Sequence, residues 1–313
     1  MAVARRRLHP AGPDLSALVW GAWRALNDAR TDTPAGLAAM IDACLASGIT
    51  SFDHAAVYGG YRTEALFGAA LKEWKGARTS IEIVTKCGIS AVSPQRPETR
   101  VKHYDASAAA IRASVDRSLL NFGTDYLDLL LIHRPDPFMD ADDTARGLDD
   151  VLAAGKVRAI GVSNFAPAIG VSNFAPAQLS LLQSRLARPL VTNQVQFSLS
   201  HVAPLFDGTF DQAQETRAAP MVWSPLGGGR LLATDDEATG HLAGVLDAMA
   251  ARYGVEPMTL ALAWVLAHPV GALPVIGTAS AARVQTLARA TSLMLDRQDW
   301  FALLEAARGM PVP

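Results

Sequence analysis

Three short runs of this chain each carry an apolar or β-branched stretch onto an ionisable residue. They are Ser51-Phe52-Asp53-His54-Ala55-Ala56-Val57-Tyr58-Gly59, Ile83-Val84-Thr85-Lys86-Cys87-Gly88 and Leu127-Asp128-Leu129-Leu130-Leu131-Ile132-His133-Arg134-Pro135. Together they offer a carboxylate, a phenol, an ammonium and an imidazole: Asp53, Tyr58, Lys86 and His133. Free tyrosine, with a pKa near 10, is a sluggish acid at neutral pH. A lysine ammonium about 4 Å away is worth roughly 4 kcal/mol at an effective dielectric of about 20, or about three pKa units. That predicts a Tyr58 whose pKa falls towards the range where a proton donor works best. Asp53 would keep Lys86 charged and in place, and His133 would contact the substrate oxygen. Such a set protonates a carbonyl oxygen as its carbon gains a hydride.

Each of these residues has a plainer use when taken singly. Asp53 before a turn can cap, Tyr58 beside Gly59-Gly60 can pack on a rim, Lys86 can be solvated, and His133 can satisfy a backbone carbonyl. Four such groups on three successive strand ends are harder to assign to structure alone. Polar groups gathered at strand ends are how a parallel barrel builds a site at its C-terminal mouth.

The elements that must position them alternate almost to the end of the chain. Strands are predicted at Leu18–Gly21, Thr50–Asp53, Ile81–Lys86, Leu127–His133, Val157–Val162, Leu190–Phe197, Met221–Ser224 and Leu273–Ile276. Helices are predicted at Pro34–Ser47, Thr63–Glu73, Ser107–Asn121, Asp142–Ala154, Ala177–Leu186, Asp207–Arg217, Leu242–Tyr253 with Pro257–Ala267, and Ala281–Ala290. Thr33 before Pro34, and Thr278 or Ser280 before the last helix, are N-terminal signals; Gly48 and Gly155 stand where helices stop. Eight such units are what a closed (β/α)8 TIM barrel needs. An open doubly wound sheet alternates similarly, but the evenly spread polar strand ends favour the barrel. Arg5–Leu18, with its Pro-Ala-Gly-Pro-Asp turn, reads as an N-terminal β-hairpin plugging the barrel floor. No linker or low-complexity tract divides residues 1–313, so a single barrel domain is expected.

Composition narrows the function. Half of the 313 residues are apolar and 19% are charged, which suits a large core and not a disordered chain. A net charge of −2 argues against a nucleic-acid partner, and Arg5-Arg6-Arg7, the one dense basic run, reads as a solvated cluster. Two cysteines, Cys44 and Cys87, exclude a disulfide framework. No stretch reads as a membrane span or signal peptide. A cytoplasmic protein, monomeric or weakly oligomeric, is expected.

One feature stands outside this pattern. Ala159-Ile160-Gly161-Val162-Ser163-Asn164-Phe165-Ala166-Pro167 is repeated without change as Ala168-Ile169-Gly170-Val171-Ser172-Asn173-Phe174-Ala175-Pro176. A solenoid needs longer and more numerous units, so a local duplication is the simplest origin. The first copy follows Gly155-Lys156-Val157-Arg158 directly and makes the longer fifth barrel strand, which leaves the second as an insertion at the mouth. The alternative register puts Pro167 at the strand start, where it removes a ladder donor.

With these residues in view, the chain resembles the aldo-keto reductases, in particular short-tailed bacterial members, over nearly its whole length. Asp53, Tyr58, Lys86 and His133 match that family's catalytic tetrad in order and strand location. The resemblance implies an NADPH-dependent reduction of aldehydes or ketones, with Tyr58 as proton donor and a small carbonyl substrate. It further implies cofactor contacts from Ser163 and Asn164 in Gly161-Val162-Ser163-Asn164-Phe165, and from Gln194 in Thr192-Asn193-Gln194. Trp223, Ser224, Leu226 and Gly228 fall in the loop Trp223-Ser224-Pro225-Leu226-Gly227-Gly228-Gly229, similar to the family's cover over nicotinamide and pyrophosphate. Gly277, Thr278 and Arg283 fall in the segment that clasps the adenosine 2′-phosphate. No Gly-x-Gly-x-x-Gly follows a predicted strand, so a Rossmann site is not indicated.

Departures qualify the resemblance. Trp223 stands where the family usually has Tyr, and an indole still offers a face for stacking. Gly277 and Leu287 replace a lysine and an asparagine of the phosphate clasp, which leaves NADPH preference resting on Arg283. The chain also stops at Pro313 without a long C-terminal loop, which points to an open site for small or varied carbonyls. Two other classes compete. A Schiff-base aldolase would use Lys86 as nucleophile, and borohydride trapping would reveal it. A non-catalytic NADP-binding sensor or partner subunit would bind cofactor without turnover.

Overall fold

Strands buried on both faces are a parallel sheet's mark when helices wrap it, and the short apolar runs of this chain form such strands. The computed structural model describes residues 2–163, 174–232 and 237–311. A hairpin comes first: β1 (Arg5–Arg7) pairs antiparallel with β2 (Asp14–Ser16). The barrel strands β3 (Val19–Gly21), β4 (Ser51–Asp53) and β5 (Glu82–Cys87) follow. A second hairpin, β6 (Ile89–Ser90) with β7 (His103–Tyr104), rises from the end of β5. Then come β8 (Leu129–Ile132), β9 (Ile160–Ser163), β10 (Leu190–Gln196), β11 (Met221–Trp223) and β12 (Leu273–Ile276). The order β3-β4-β5-β8-β9-β10-β11-β12 closes on itself, all pairs parallel, so the fold is the (β/α)8 barrel with an N-terminal hairpin.

The outer layer comprises α1 (Pro34–Ala46), α2 (Thr63–Glu73), α3 (Ala108–Phe122), α4 (Ala141–Ala153), α5 (Pro176–Gln183), α6 (Thr209–Thr216), α7 (Glu237–Tyr253), α8 (Pro257–Ala267), α9 (Ala281–Ala288) and α10 (Arg297–Arg308). Local chemistry sets their starts: Thr33, Ser107, Asp140, Ser280 and Asp296 each accept a backbone N–H from the first turn. Gly48 and Gly155 follow α1 and α4 in left-handed backbone, as helix stops require. The helix α10 was not anticipated; it docks on α8 through Trp300, stacked on Trp264 at 5.0 Å with reciprocal indole-to-carbonyl hydrogen bonds of 3.0 Å.

Side chains inside the barrel lie in layers. Leu8 and Leu15 of the hairpin close the floor against Val19, Val84, Leu129, Leu131, Met221 and Leu273. The arginine run stays largely exposed, as a solvated cluster would, but each guanidinium is tied to the floor. Arg5 pairs with Glu82 at 2.8 Å, Arg6 donates to the Ala272 carbonyl at 2.9 Å, and Arg7 pairs with Asp14 at 2.9 Å. Because alternate strand residues share a face, the positions two beyond Ser51, Val84 and Leu131 project into the next layer. Those positions are Asp53, Lys86 and His133.

The repeated nonapeptide divides its labour. Ile160–Ser163 of the first copy form β9. Phe174 of the second copy is buried in the core, its carbonyl accepts from Asn193 at 3.2 Å, and Pro176 opens α5. The second copy is therefore not wholly an inserted loop, since its last three residues form the helix entrance. Asn164 and Asn173 lie outside the described residues. Among the described residues no helix is long and apolar enough to cross a membrane.

Candidate active site

Lys86 is the centre of the polar layer. Its ammonium is fully buried and donates to Asp53 Oδ2 at 2.6 Å, to the His54 carbonyl at 2.8 Å and to the Tyr58 hydroxyl at 3.3 Å. Burial lowers the Lys86 pKa and the Asp53 carboxylate opposes that, holding the proton on. Tyr58 reaches the cluster from a loop that turns sharply after β4: Gly59, Gly60 and Tyr61 all take positive φ. A Cβ on Gly59 would stand 2.2 Å from Leu26 Cδ1, so glycine is required there both for φ and for space.

Contrary to the lowering expected from Lys86, the Tyr58 phenol is pushed well above its ordinary range. Burial is the main cause and the Asp53 charge adds to it, while Arg134 pulls the other way. The Asp53 charge opposes any lowering by Lys86, and burial outweighs both, which a reading of residue types alone could not weigh. Tyr58 thus stays protonated at neutral pH. His133 stands edge-on to it with ring centroids 5.7 Å apart. Burial, with the charges of Lys86 and Arg134, drives the imidazole pKa well below its usual value, so His133 is neutral.

The neighbouring strands extend this polar surface. Ser163 Oγ donates to Gln194 Oε1 at 3.1 Å, and Gln194 Nε2 donates to Asp53 Oδ1 at 2.8 Å. Gln194 faces inward because the β9–β10 pairing shifts register between Leu190 and Asn193, which reverses the alternation and turns Asn193 outwards to Phe174. Trp223 ends β11, and Ser224 after it takes φ +49°, a strained value for a non-glycine residue. Leu226 packs on the core, and a Cβ on Gly228 or Gly229 would meet nothing within 4 Å, so this backbone is open to a ligand. Gly277 and Thr278 follow β12. The Thr278 carbonyl accepts from Trp20 Nε1 at 2.9 Å and its hydroxyl accepts from Ser280 N at 3.1 Å, which sets the entrance to α9. Arg283 is exposed in the first turn of that helix, whereas Leu287 is buried in the core. An open glycine backbone and a helix N-terminus carrying an arginine fit the phosphates of a nicotinamide dinucleotide.

Three residues went unnoticed in the sequence. Trp23 stands just past β3 and meets the Tyr58 ring edge-on at 4.9 Å; the strand-end rule applied to β3 finds it. Arg134 is buried beside His133. Glu64 on α2 is buried and accepts from Thr85, Ser118 and Asn121 at 2.7–3.1 Å. A carboxylate at an inward helical position was its signal.

His54 makes a pH prediction. Its ring lies between Phe67 and Phe122 without a hydrogen-bond partner, and burial, reinforced by Lys86, lowers its pKa to about 3. The unfolded chain then binds the extra proton below its ordinary value of about 6.5, so stability is full above that pH and falls as the solution is acidified towards 3. The loss reaches about 2 kcal/mol at pH 5. His54→Leu is expected to flatten this limb; a thermal midpoint that drops equally in both proteins between pH 7 and pH 5 rejects the assignment.

Comparison with known proteins agrees with this geometry. Residues 17–308 match the model of the aldo/keto reductase family. A 6-dehydroglucose reductase from Agrobacterium fabrum is 46% identical, with 96% of each chain covered. Oxidoreductase YdhF of Escherichia coli is 43% identical over 99% of this chain and all of its own. A thermostable aldo-keto reductase solved with the inhibitor epalrestat superposes with a TM-score of 0.78 over 97% of this chain and 99% of its own. At 24% identity it speaks for the fold alone. The chain belongs to the aldo/keto reductase family and is an oxidoreductase of that family.

Proposed function

We propose that residues 1–313 act as a single barrel enzyme that reduces small aldehydes or ketones to alcohols with NADPH, Tyr58 supplying the proton. The observation that carries this reading is the buried Lys86 ammonium shared between Asp53 and the Tyr58 hydroxyl at the barrel mouth, beside a neutral imidazole. Bound NADPH supplies the hydride. The chain's own residues do the rest. His133, neutral, donates an N–H to the carbonyl oxygen and orients it. The Tyr58 hydroxyl passes its proton to that oxygen, and Lys86 at 3.3 Å stabilises the phenolate left behind. Asp53 keeps the ammonium charged, which also removes Lys86 from service as a Schiff-base nucleophile.

Ser163, Asn164 and Gln194 would hold the nicotinamide amide, with Trp223 on its ring. Ser224, Leu226 and Gly228 would lie along the pyrophosphate, and Gly277, Thr278 and Arg283 around the adenosine phosphate. Steady-state oxidation of NADPH and NADH against a panel of aldehydes and ketones tests the reading. Two relatives bear the name 6-dehydroglucose reductase, so that aldehyde belongs in the panel. Cofactor binding without turnover of any member would favour a non-catalytic NADP-binding role instead. Tighter binding of NADPH than NADH is expected. Arg283→Ala should narrow the difference by about 1.5–3 kcal/mol, the worth of a hydrogen bond to a charged group. Equal dissociation constants in the unmodified protein would refute the role of Arg283.

A further inference from the structure

The loop that carries Tyr58 is strained just beyond it. Gly59, Gly60 and Tyr61 follow at φ +58°, +65° and +69°. Glycine takes such values freely, whereas a tyrosine does so at a cost and persists there only where its surroundings over-determine it. Arg217, another non-glycine residue at positive φ, ends α6, where left-handed backbone is ordinary. Tyr61 ends no helix; it stands just ahead of α2. What holds it is the β6–β7 hairpin, which rises from the strand bearing Lys86. The Tyr61 hydroxyl accepts from Ala91 N at 2.7 Å and lies 3.4 Å from the carbonyls of Ile89 and Ala91. The Arg96 guanidinium lies 4.7 Å from the centre of the Tyr61 ring, and Ser93 Oγ donates to the Gly60 carbonyl at 3.3 Å. On the other side, the Tyr58 carbonyl accepts from Arg62 N at 3.3 Å and Thr63 N at 3.4 Å. Tyr61 therefore sits inside a turn that begins at Tyr58, and its side chain ties that turn to the segment following Lys86.

We infer that Tyr61 is a positioning residue for the reduction: anchored on the β6–β7 hairpin, it holds the strained turn that keeps the Tyr58 hydroxyl on Lys86. This rests on the reading of Tyr58 as proton donor and adds the residue that aims it. The hydroxyl and the ammonium that must stay 3.3 Å apart belong to the loop after β4 and to β5. The Tyr61 side chain is a second, outer tie between the same two elements. Misplacing a reacting group by about 1 Å can cost about a hundredfold in rate, so loosening the turn is enough to matter. Because Tyr61 acts through Tyr58, its effect falls on proton transfer. The residues proposed to hold NADPH all lie from Ser163 onward, so cofactor binding is spared.

The test uses two variants of Tyr61, each made in the parent and again on Tyr58→Phe. Tyr61→Phe keeps the ring beside Arg96 and removes the hydroxyl. Tyr61→Gly removes the whole anchor and relieves the backbone, since glycine accepts φ +69°. At saturating NADPH, kcat for a small aldehyde should fall about tenfold in the first and about a hundredfold in the second. KM and the NADPH dissociation constant should stay within about twofold of the parent. On Tyr58→Phe the anchor has nothing left to aim, so the residual turnover should fall no further. A purely structural role would add its loss in both backgrounds. If Tyr61→Gly does not fold, Tyr61→Phe carries the test. A kcat within about twofold of the parent, a loss that falls on KM or NADPH affinity, or one that carries over in full onto Tyr58→Phe overturns the inference. In each of those cases a Tyr58→Phe variant that is itself impaired leaves the reductase reading intact. Near-normal turnover of Tyr58→Phe, or none with any carbonyl in the parent, strikes that reading instead, and the role of Tyr61 with it.

Discussion

Tyr58→Phe is expected to lose about 10²- to 10⁴-fold in kcat, the usual contribution of a positioned general acid, with NADPH affinity unchanged. The substitution removes one oxygen and keeps the ring. The edge contact with Trp23 at 4.9 Å and the loop held by Gly59 persist, so the fold has no reason to move. What disappears is the hydroxyl that Lys86 contacts at 3.3 Å, the group proposed to pass its proton to the carbonyl oxygen and shed the resulting charge onto the ammonium. The loss should fall on kcat and not on KM, because the proton moves only in the transition state. Near-normal turnover in this variant, measured beside an unchanged cofactor dissociation constant, would remove Tyr58 from the mechanism.

Lys86→Met should be as damaging to turnover and, unlike Tyr58→Phe, costly to stability. Methionine fills the volume but leaves Asp53, itself buried, without its counter-ion. Breaking a buried pair from one side typically costs about 3–5 kcal/mol, since a desolvated charge remains. Gln194 still donates to Asp53 at 2.8 Å, which tempers the penalty but does not neutralise the carboxylate. Denaturant unfolding should therefore show a lower midpoint with an unchanged slope. A variant as stable as the parent would mean that Asp53 is far better solvated than its surroundings allow.

Much of this arrangement is legible in residue types and spacing, and the rest fails for identifiable reasons. Thr63–Glu73, Pro257–Ala267 and Leu273–Ile276 form just as their patterns predict, and the other barrel strands differ by a few residues at their ends. The positions of Lys86 and His133 follow from period-two alternation above the apolar Val84 and Leu131, and that of Asp53 from the same alternation above the buried Ser51. Gln194 could be named only by resemblance, because its inward direction depends on a register shift that alternation does not foretell. The β6–β7 hairpin was missed because two-residue strands carry no periodicity. The helix α10 had its signal, Asp296 before an amphipathic run ending in Leu303 and Leu304, and was overlooked behind the polar residues of its first turn. The direction of the Tyr58 shift was misjudged because pairwise charge was counted without burial.

The floor and the seam of the barrel also bear on how the protein comes into being during translation. Asp53, Tyr58, Lys86 and His133 all leave the ribosome in the first half of synthesis. The strand that closes the ring does not: β12 pairs Val275 with Val19, and Trp20 must find the Thr278 carbonyl 258 residues away. The hairpin waits as long, because Arg6 binds the carbonyl of Ala272, 266 residues downstream. Contacts this distant in sequence form late and slowly. Until β12 has been made the ring cannot close, and the proposed site is expected to reach its buried state only after that last strand pairs with the first.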